Sequence, residues 1–261
     1  MKRILNIVFW IALPVTMLIM LGFVSGSQSE LVCNNVSISI DHSNGMMFLN
    51  NELLIDKLKQ THVYPVGKKF KEIKVGEIEQ VLLNISEVQD AEVYKTIDGN
   101  IGISVTQRNP IVRVLNLNGR QFYIDDRGYQ MPISEHYYPR VLVVNGYISE
   151  PFVEESAYEI ASDSSLRAGF KTDDVFAMAS YISNDPFWSA QIQEIYFEPS
   201  GDMELIPVVG DHRIIFGDTT HLEAKFNKLK VFYQEGLRKT GWNLYDTINL
   251  KYKDQIVCSR K

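Results

Sequence analysis

Cysteine is nearly missing from this chain: Cys33 and Cys258 are the two among 261 residues. A pair so far apart is no disulfide framework, so the fold must rest on buried apolar area. Either they pair across one very long loop in an oxidising compartment, or they stand as separate thiols. Also missing are G-x-S-x-G, S-x-x-K, H-E-x-x-H, C-x-x-C and any glycine-rich phosphate loop. Nothing therefore points to a nucleophile, a zinc site or a nucleotide. The five histidines, His42, His62, His136, His212 and His221, are scattered. Asp211-His212 reads as a surface turn rather than part of a triad, and His212 with His221 matches no recurrent metal-ligand spacing. Asp125-Asp126 ahead of Gly128 reads as a turn. The expectation is a protein without catalytic, cofactor or metal residues. Basic clusters are lacking too, with 26 Lys and Arg against 32 Asp and Glu. That dispersed acidic balance argues against nucleic acid as a partner. No stretch is repetitive or of low complexity, so the chain should be folded nearly throughout.

What is present begins with ILNIVFWIALPVTMLIMLGFV, residues 4–24, which carries no charge. At about 1.5 Å per helical residue it reaches roughly 30 Å, the depth of a bilayer's hydrocarbon core. A core-facing helix needs one apolar face, whereas this one is apolar all round. Pro14 sits mid-span, where neighbouring helices can satisfy the freed carbonyl. Lys2 and Arg3 precede the span and the first charge after it is Glu30, so the rest of the chain should be exported. Ser25-Gly26-Ser27 leaves a cleaved signal peptide as the rival reading, although the apolar run exceeds the usual ~7–15 residues. The segments expected are a cytoplasmic tail (1–3), a transmembrane helix (4–24), a linker (25–32), a first domain (33–107) and a second (108–261).

Along the first domain, residues 34–40 alternate with Val36, Ile38 and Ile40 inward, a half-buried strand. Asn50 or Asn51 can cap a helix bearing Leu54, Ile55 and Leu58. Val75, Ile78, Val81, Leu82 and Ile85 form a second helical face, and residues 91–94 and 101–106 flank Asp98-Gly99-Asn100 as a hairpin. The order is β-α-α-β-β. Gln107-Arg108-Asn109-Pro110 marks a joint, because proline removes a donor and restrains its predecessor.

Beyond it the chain is mainly β. Residues 111–117, 121–124, 139–144, 192–197, 203–207 and 213–216 read as short strands, and 149–171 as loop with a helical piece. Thr172 can cap a helix with Val175, Ala179 and Ile182 inward. Phe187-Trp188 reads as core rather than an exposed anchor. Thr220 and Glu223 fit a capping box, opening a helix with Leu222, Phe226, Leu229 and Tyr233 on one side. Residues 247–257 read as one long last strand with Ile248, Leu250 and Tyr252 on one face, then Ile256. Such a strand can sit at a sheet edge and template a partner's strand.

Taken together these residues resemble a known family. The joint Gln107-Arg108-Asn109-Pro110-Ile111-Val112 is similar to the Glu-Arg-x-Pro-Ile/Val-Ala joint of the bacterial cell-division proteins FtsQ/DivIB, with Gln107 where an acid is usual. Phe122-Tyr123-Ile124-Asp125…Gly128, Pro139 before Val141-Leu142-Val143-Val144-Asn145-Gly146, and Gly210…Arg213-Ile214-Ile215-Phe216-Gly217 follow in that family's order. So do Lys225-Phe226-x-Lys-Leu and Asp246-Thr247-Ile248-Asn249-Leu250-Lys251-Tyr252. The resemblance implies an α+β fold: an N-terminal transmembrane helix, a POTRA-like domain, then a mixed, mainly antiparallel β domain with flanking helices. It implies a non-catalytic scaffold of the bacterial inner membrane, single-pass and type II, with its bulk in the periplasm. Its partners would be FtsB-like and FtsL-like single-span proteins, and other divisome proteins through the POTRA-like domain. Partner binding would fall on Ile248, Leu250, Tyr252, Gln255, Ile256 and Val257, with Phe226 and Tyr233 on the preceding helix; Arg108 and Pro110 would form the joint. A POTRA-type envelope-assembly module and an anchored envelope enzyme are the alternatives.

Overall fold

A computed structural model of the protein describes residues 13–16, 31–149, 158–159, 171–253 and 255–261. The expected membrane span lies largely outside them; residues 13–16 are helical, and among the described residues no helix is long and apolar enough to cross a membrane. The expected loop over 149–171 also lies largely outside. The chain divides into two compact units, Met1–Gln107 and Arg108–Lys261.

In the first unit the described order is β1 (Val36–Asp41), α1 (Asn51–Gln60), α2 (Val75–Leu83), β2 (Val88–Lys95) and β3 (Ile101–Gln107). The alternation read from β1 is what the strand has: Val36, Ile38 and Ile40 are half-buried and the residues between them exposed. Asn50 caps α1 by accepting from the Leu53 N–H at 2.8 Å, which satisfies one of the donors a helix start leaves open. Leu54 and Leu58 of α1 and Ile78 and Leu82 of α2 are buried, as are Ile101, Ile103 and Val105 of β3. The strand order is β1-β3-β2, with β1 parallel and β2 antiparallel to the central β3. The β2–β3 hairpin was legible from its Gly/Asn turn. Placing β1 beside β3 was not, because that pairing spans the two helices.

The second unit is one mixed sheet, in the order β13-β12-β11-β10-β9-β7-β4-β5-β6-β8. Its strands are β4 (Pro110–Leu115), β5 (Gln121–Asp125), β6 (Tyr129–Pro132), β7 (Leu142–Gly146), β8 (Tyr158–Glu159), β9 (Ile192–Phe197), β10 (Met203–Pro207), β11 (Arg213–Gly217), β12 (Tyr245–Asn249) and β13 (Val257–Arg260). Helices α3 (Thr172–Asn184), α4 (Pro186–Gln191) and α5 (Leu222–Val231) share one core with the sheet. In it Val175, Ile182, Trp188, Phe226 and Leu229 meet Val112, Phe122, Ile195, Leu205 and Phe216. Tyr181 stacks on Phe226 with ring centroids 4.5 Å apart, and Trp188 lies 5.0 Å from the same ring. Phe187-Trp188 is therefore core, as its composition suggested.

Two local expectations are corrected. Thr172 is a buried residue inside α3, whose start is Lys171 with no side-chain cap. The capping box fails as well. The Thr220 hydroxyl donates to the Asp218 carboxylate at 2.5 Å, and α5 instead begins after His221, held left-handed at φ 55°. An aspartate two residues upstream outcompetes the helix start for that hydroxyl. Two further elements, α4 and β6, go beyond the sequence expectations. Asp185 accepts from the Phe187 and Trp188 N–H groups and Pro186 takes the first position, a helix-start signal visible in the sequence. For β6 the signal was the Asp-x-x-Gly turn ahead of it.

Candidate functional site

The expected last strand, 247–257, is not one strand. Asn249 ends β12 because its side-chain oxygen accepts from the Lys251 N–H at 3.0 Å, turning the chain. The chain then returns as β13, antiparallel to β12 with Ile248 opposite Cys258 and Asn249 opposite Val257. Lys228 of α5 fixes the connection: its ammonium donates to the carbonyls of Leu250 at 3.1 Å, Tyr252 at 2.5 Å and Gln255 at 3.3 Å. Carbonyls that a continuous strand would give to a neighbour are given to a lysine.

This sorts the residues that the sequence assigned to a partner. Ile248 and Leu250 are buried, and so are Phe226 and Tyr233. These four form the core side of the hairpin, Ile248 and Leu250 from within it and Phe226 and Tyr233 from beneath, and offer a partner no surface. Ile256 is half-buried against the same core. Tyr252, Gln255 and Val257 are exposed, Tyr252 by 49% and Val257 by 43%. Since β13 ends the strand order, no described strand pairs with its outer side.

Beside Tyr252 lies a hollow of about 440 Å³ lined in part by Asp202, Asp218, Lys225, Lys228, Lys251 and Lys253. Lys225 donates to the Asp218 carboxylate at 2.9 Å and to its backbone carbonyl at 2.8 Å. The Thr220 hydroxyl and this ammonium hold the Asp218 carboxyl down to about 2. Lys251 meets Asp202 at 2.6 Å, which raises the lysine above its ordinary range. Four lysines on two carboxylates make this hollow basic in a chain whose total charge is −6.

Pro110 opens β4, where its missing N–H costs least. Arg108, just before it, donates to Asp125 at 2.8 Å, with 10% and 0% of the two side chains exposed. Its guanidinium lies 4.2 Å from the Tyr129 ring centroid. Asp125 also accepts from the Arg127 and Tyr129 N–H groups at 3.0 and 2.7 Å. It is a turn residue, as read, and also the buried counter-charge that sequence alone did not reveal. In the first unit Gln107 accepts from the Leu49 N–H and donates to the Asp41 and Met46 carbonyls, each at 3.0 Å. A carboxylate there would meet two carbonyl oxygens, so the amide suits these surroundings.

Cys33 and Cys258 are free thiols, one in each unit, and burial raises both above the usual thiol range. His212 is buried against Tyr233 rather than turned to the surface. Among the described residues no group of three or more His, Cys, Asp or Glu could hold a metal ion.

A family model described as POTRA-like domain matches residues 31–106, the first unit's β-α-α-β-β run. None of the curated proteins compared matches the chain. A second family model, described as FtsQ/DivIB, C-terminal related, matches residues 109–259, which takes in every strand of the ten-stranded sheet except the tail of β13. With more than half of its length under that match, and a POTRA-like unit before it, the chain belongs to the FtsQ/DivIB family of bacterial cell-division proteins.

Proposed function

We propose that the protein is a non-catalytic cell-division scaffold of the bacterial inner membrane. It is anchored by residues 4–24 with its bulk in the periplasm, and it docks FtsB-like and FtsL-like single-span proteins along β13. The observation that carries this is the sheet edge: β13 ends the strand order, beside exposed Tyr252 and Val257. A partner segment adding itself there gains backbone hydrogen bonds, and side-chain anchors set its register. The lysine-rich hollow supports an acidic residue in that segment, since opposite potentials favour encounter and suppress wrong partners. The POTRA-like unit serves other divisome proteins in this reading.

Because the buried Phe226, Tyr233, Ile248 and Leu250 support the hairpin, the test falls on its exposed residues. Tyr252→Ala and Val257→Glu should leave circular dichroism unchanged and weaken pull-down of an FtsB-like partner. Val257→Glu should do more, because it places a charge in a contact that excludes water. Normal binding by both folded variants would move the docking surface elsewhere. Type II topology is checked separately by added protease, which should digest the carboxy-terminal part in spheroplasts.

A further inference from the structure

His212 is the one histidine with almost no exposure, at 2%, among the described residues. It immediately precedes β11, whose first residue, Arg213, pairs with Thr247 of β12. Its Nε2 lies 3.0 Å from the Tyr233 hydroxyl, and the two rings meet edge to face. Tyr233 belongs to a π-helical segment, Phe232–Leu237, that continues α5, and its ring in turn meets Trp242, three residues before β12. Nδ1 closes no hydrogen bond, although the Trp242 carbonyl is near enough to favour a proton. Gly210 makes the packing possible: a side chain there would come within 2.7 Å of the imidazole.

A neutral imidazole suits this pocket and an imidazolium does not. Tyr233 faces it with a hydroxyl that burial keeps protonated. The other nearby charges oppose one another: Asp211 favours a charged ring and Lys261 disfavours it, and these two form their own ion pair at 2.6 Å. Neighbouring Arg213 is committed to Glu204 at 3.3 Å. Of these charges Asp211 alone favours a cation, and burial outweighs it, pulling His212 below the ordinary histidine range.

We propose that His212 is an acid-sensitive latch for the C-terminal hairpin: neutral, it locks Tyr233 and Trp242 under the start of β12; protonated, it leaves the pocket and releases β12–β13. The sign follows from linkage. The ring takes up its proton more readily in the open form, so opening is favoured as pH falls below about 6.5. From pH 7.5 to 5.5 the gain in opening is at most about tenfold, reached when the closed form stays unprotonated throughout. Asp218 does not contribute in this window, since it gains its proton only near 2. If β13 docks a partner, that edge is presented firmly near neutral pH and loosely in acid. This consequence rests on the proposed function, whereas the latch is read on the chain alone.

The test is amide hydrogen exchange on the full-length protein in detergent at pH 7.5 and 5.5, corrected for the intrinsic rate. Peptides from 241–261 should lose protection by up to tenfold at the lower pH, while those from β4 and β5 should not. In His212→Asn, which cannot titrate, the difference between the two pH values should vanish. Tyr233→Phe should keep it. If His212→Asn does not fold, the side-chain titration of His212 by NMR in the native protein decides instead. An ordinary histidine midpoint, or equal 241–261 protection at both pH values, overturns the latch. Loss of partner binding with unchanged pH response would leave the latch standing and fault the docking strand.

Discussion

The β4–β5–β6 corner and the β12–β13 hairpin belong to one sheet and are secured by opposite means. At the corner both faces are covered: Phe122, Tyr123, Ile124 and Asp125, four successive residues of β5, are all fully buried. Even its charge is internal, Arg108 on Asp125. At the hairpin one side is core and the other is open. The connection is held there by a lysine on three carbonyls, and the far end by Lys261 on Asp211 and by a buried histidine. Interior strands cannot leave without exposing apolar area, whereas an edge held by a few polar ties can open while the domain stays folded. Strength of attachment within a sheet is thus a local property.

Substitutions can break this comparison. The largest effect is expected at the corner. Asp125→Ala removes the buried carboxylate paired with Arg108 and should cost about 3–5 kcal/mol in urea unfolding; a loss under about 1 kcal/mol would mean the pair is not holding the corner. Phe226→Ala, in the core beneath the hairpin, should cost a similar ~3–5 kcal/mol. If it instead left stability intact and abolished only partner binding, the buried assignment of that ring would be wrong. Lys228→Met is expected to lower global stability by about 1 kcal/mol, but to raise amide exchange selectively in 250–256. Uniform change across the sheet would argue against a local tie.

Asp218 sharpens the contrast by pH. Its carboxyl is lower folded than unfolded, so its contribution is complete above about 4 and is lost as pH falls toward 2. The side chain is 61% exposed, so solvent screens most of the effect. Melting midpoints of the wild type and Asp218→Asn should converge over that range, and parallel curves would exclude the tie. The smallest effect belongs to Tyr252→Ala, within about 0.5 kcal/mol of wild type in unfolding because the ring is half in water.

Legibility in the sequence followed the range of the interaction. A cap at Asn50 or Asn51, the inward faces of α1, α2 and α5, and the β2–β3 turn were all readable, since each depends on residues a few positions apart. The last segment was misread in form. Residues 247–257 do alternate, but Asn249 turns the backbone and Lys228, over twenty positions away, takes the carbonyls. Phe226 and Tyr233, expected among the partner-binding residues, lie in the core instead.

By itself the sequence determined the α+β class, the helical faces, the turns and the order of motifs that carries the family resemblance. Those depend on backbone propensity and on apolar period, which are written locally. Tertiary structure alone decided that β1 lies beside β3, that Asp125 is the counter-charge of Arg108, and that the last segment folds back as two strands. It also placed His212 against Tyr233, 21 positions apart in sequence. Each is a choice among partners distant in the chain, and burial makes that choice: a polar group withdrawn from water must find whichever complement the fold brings within reach.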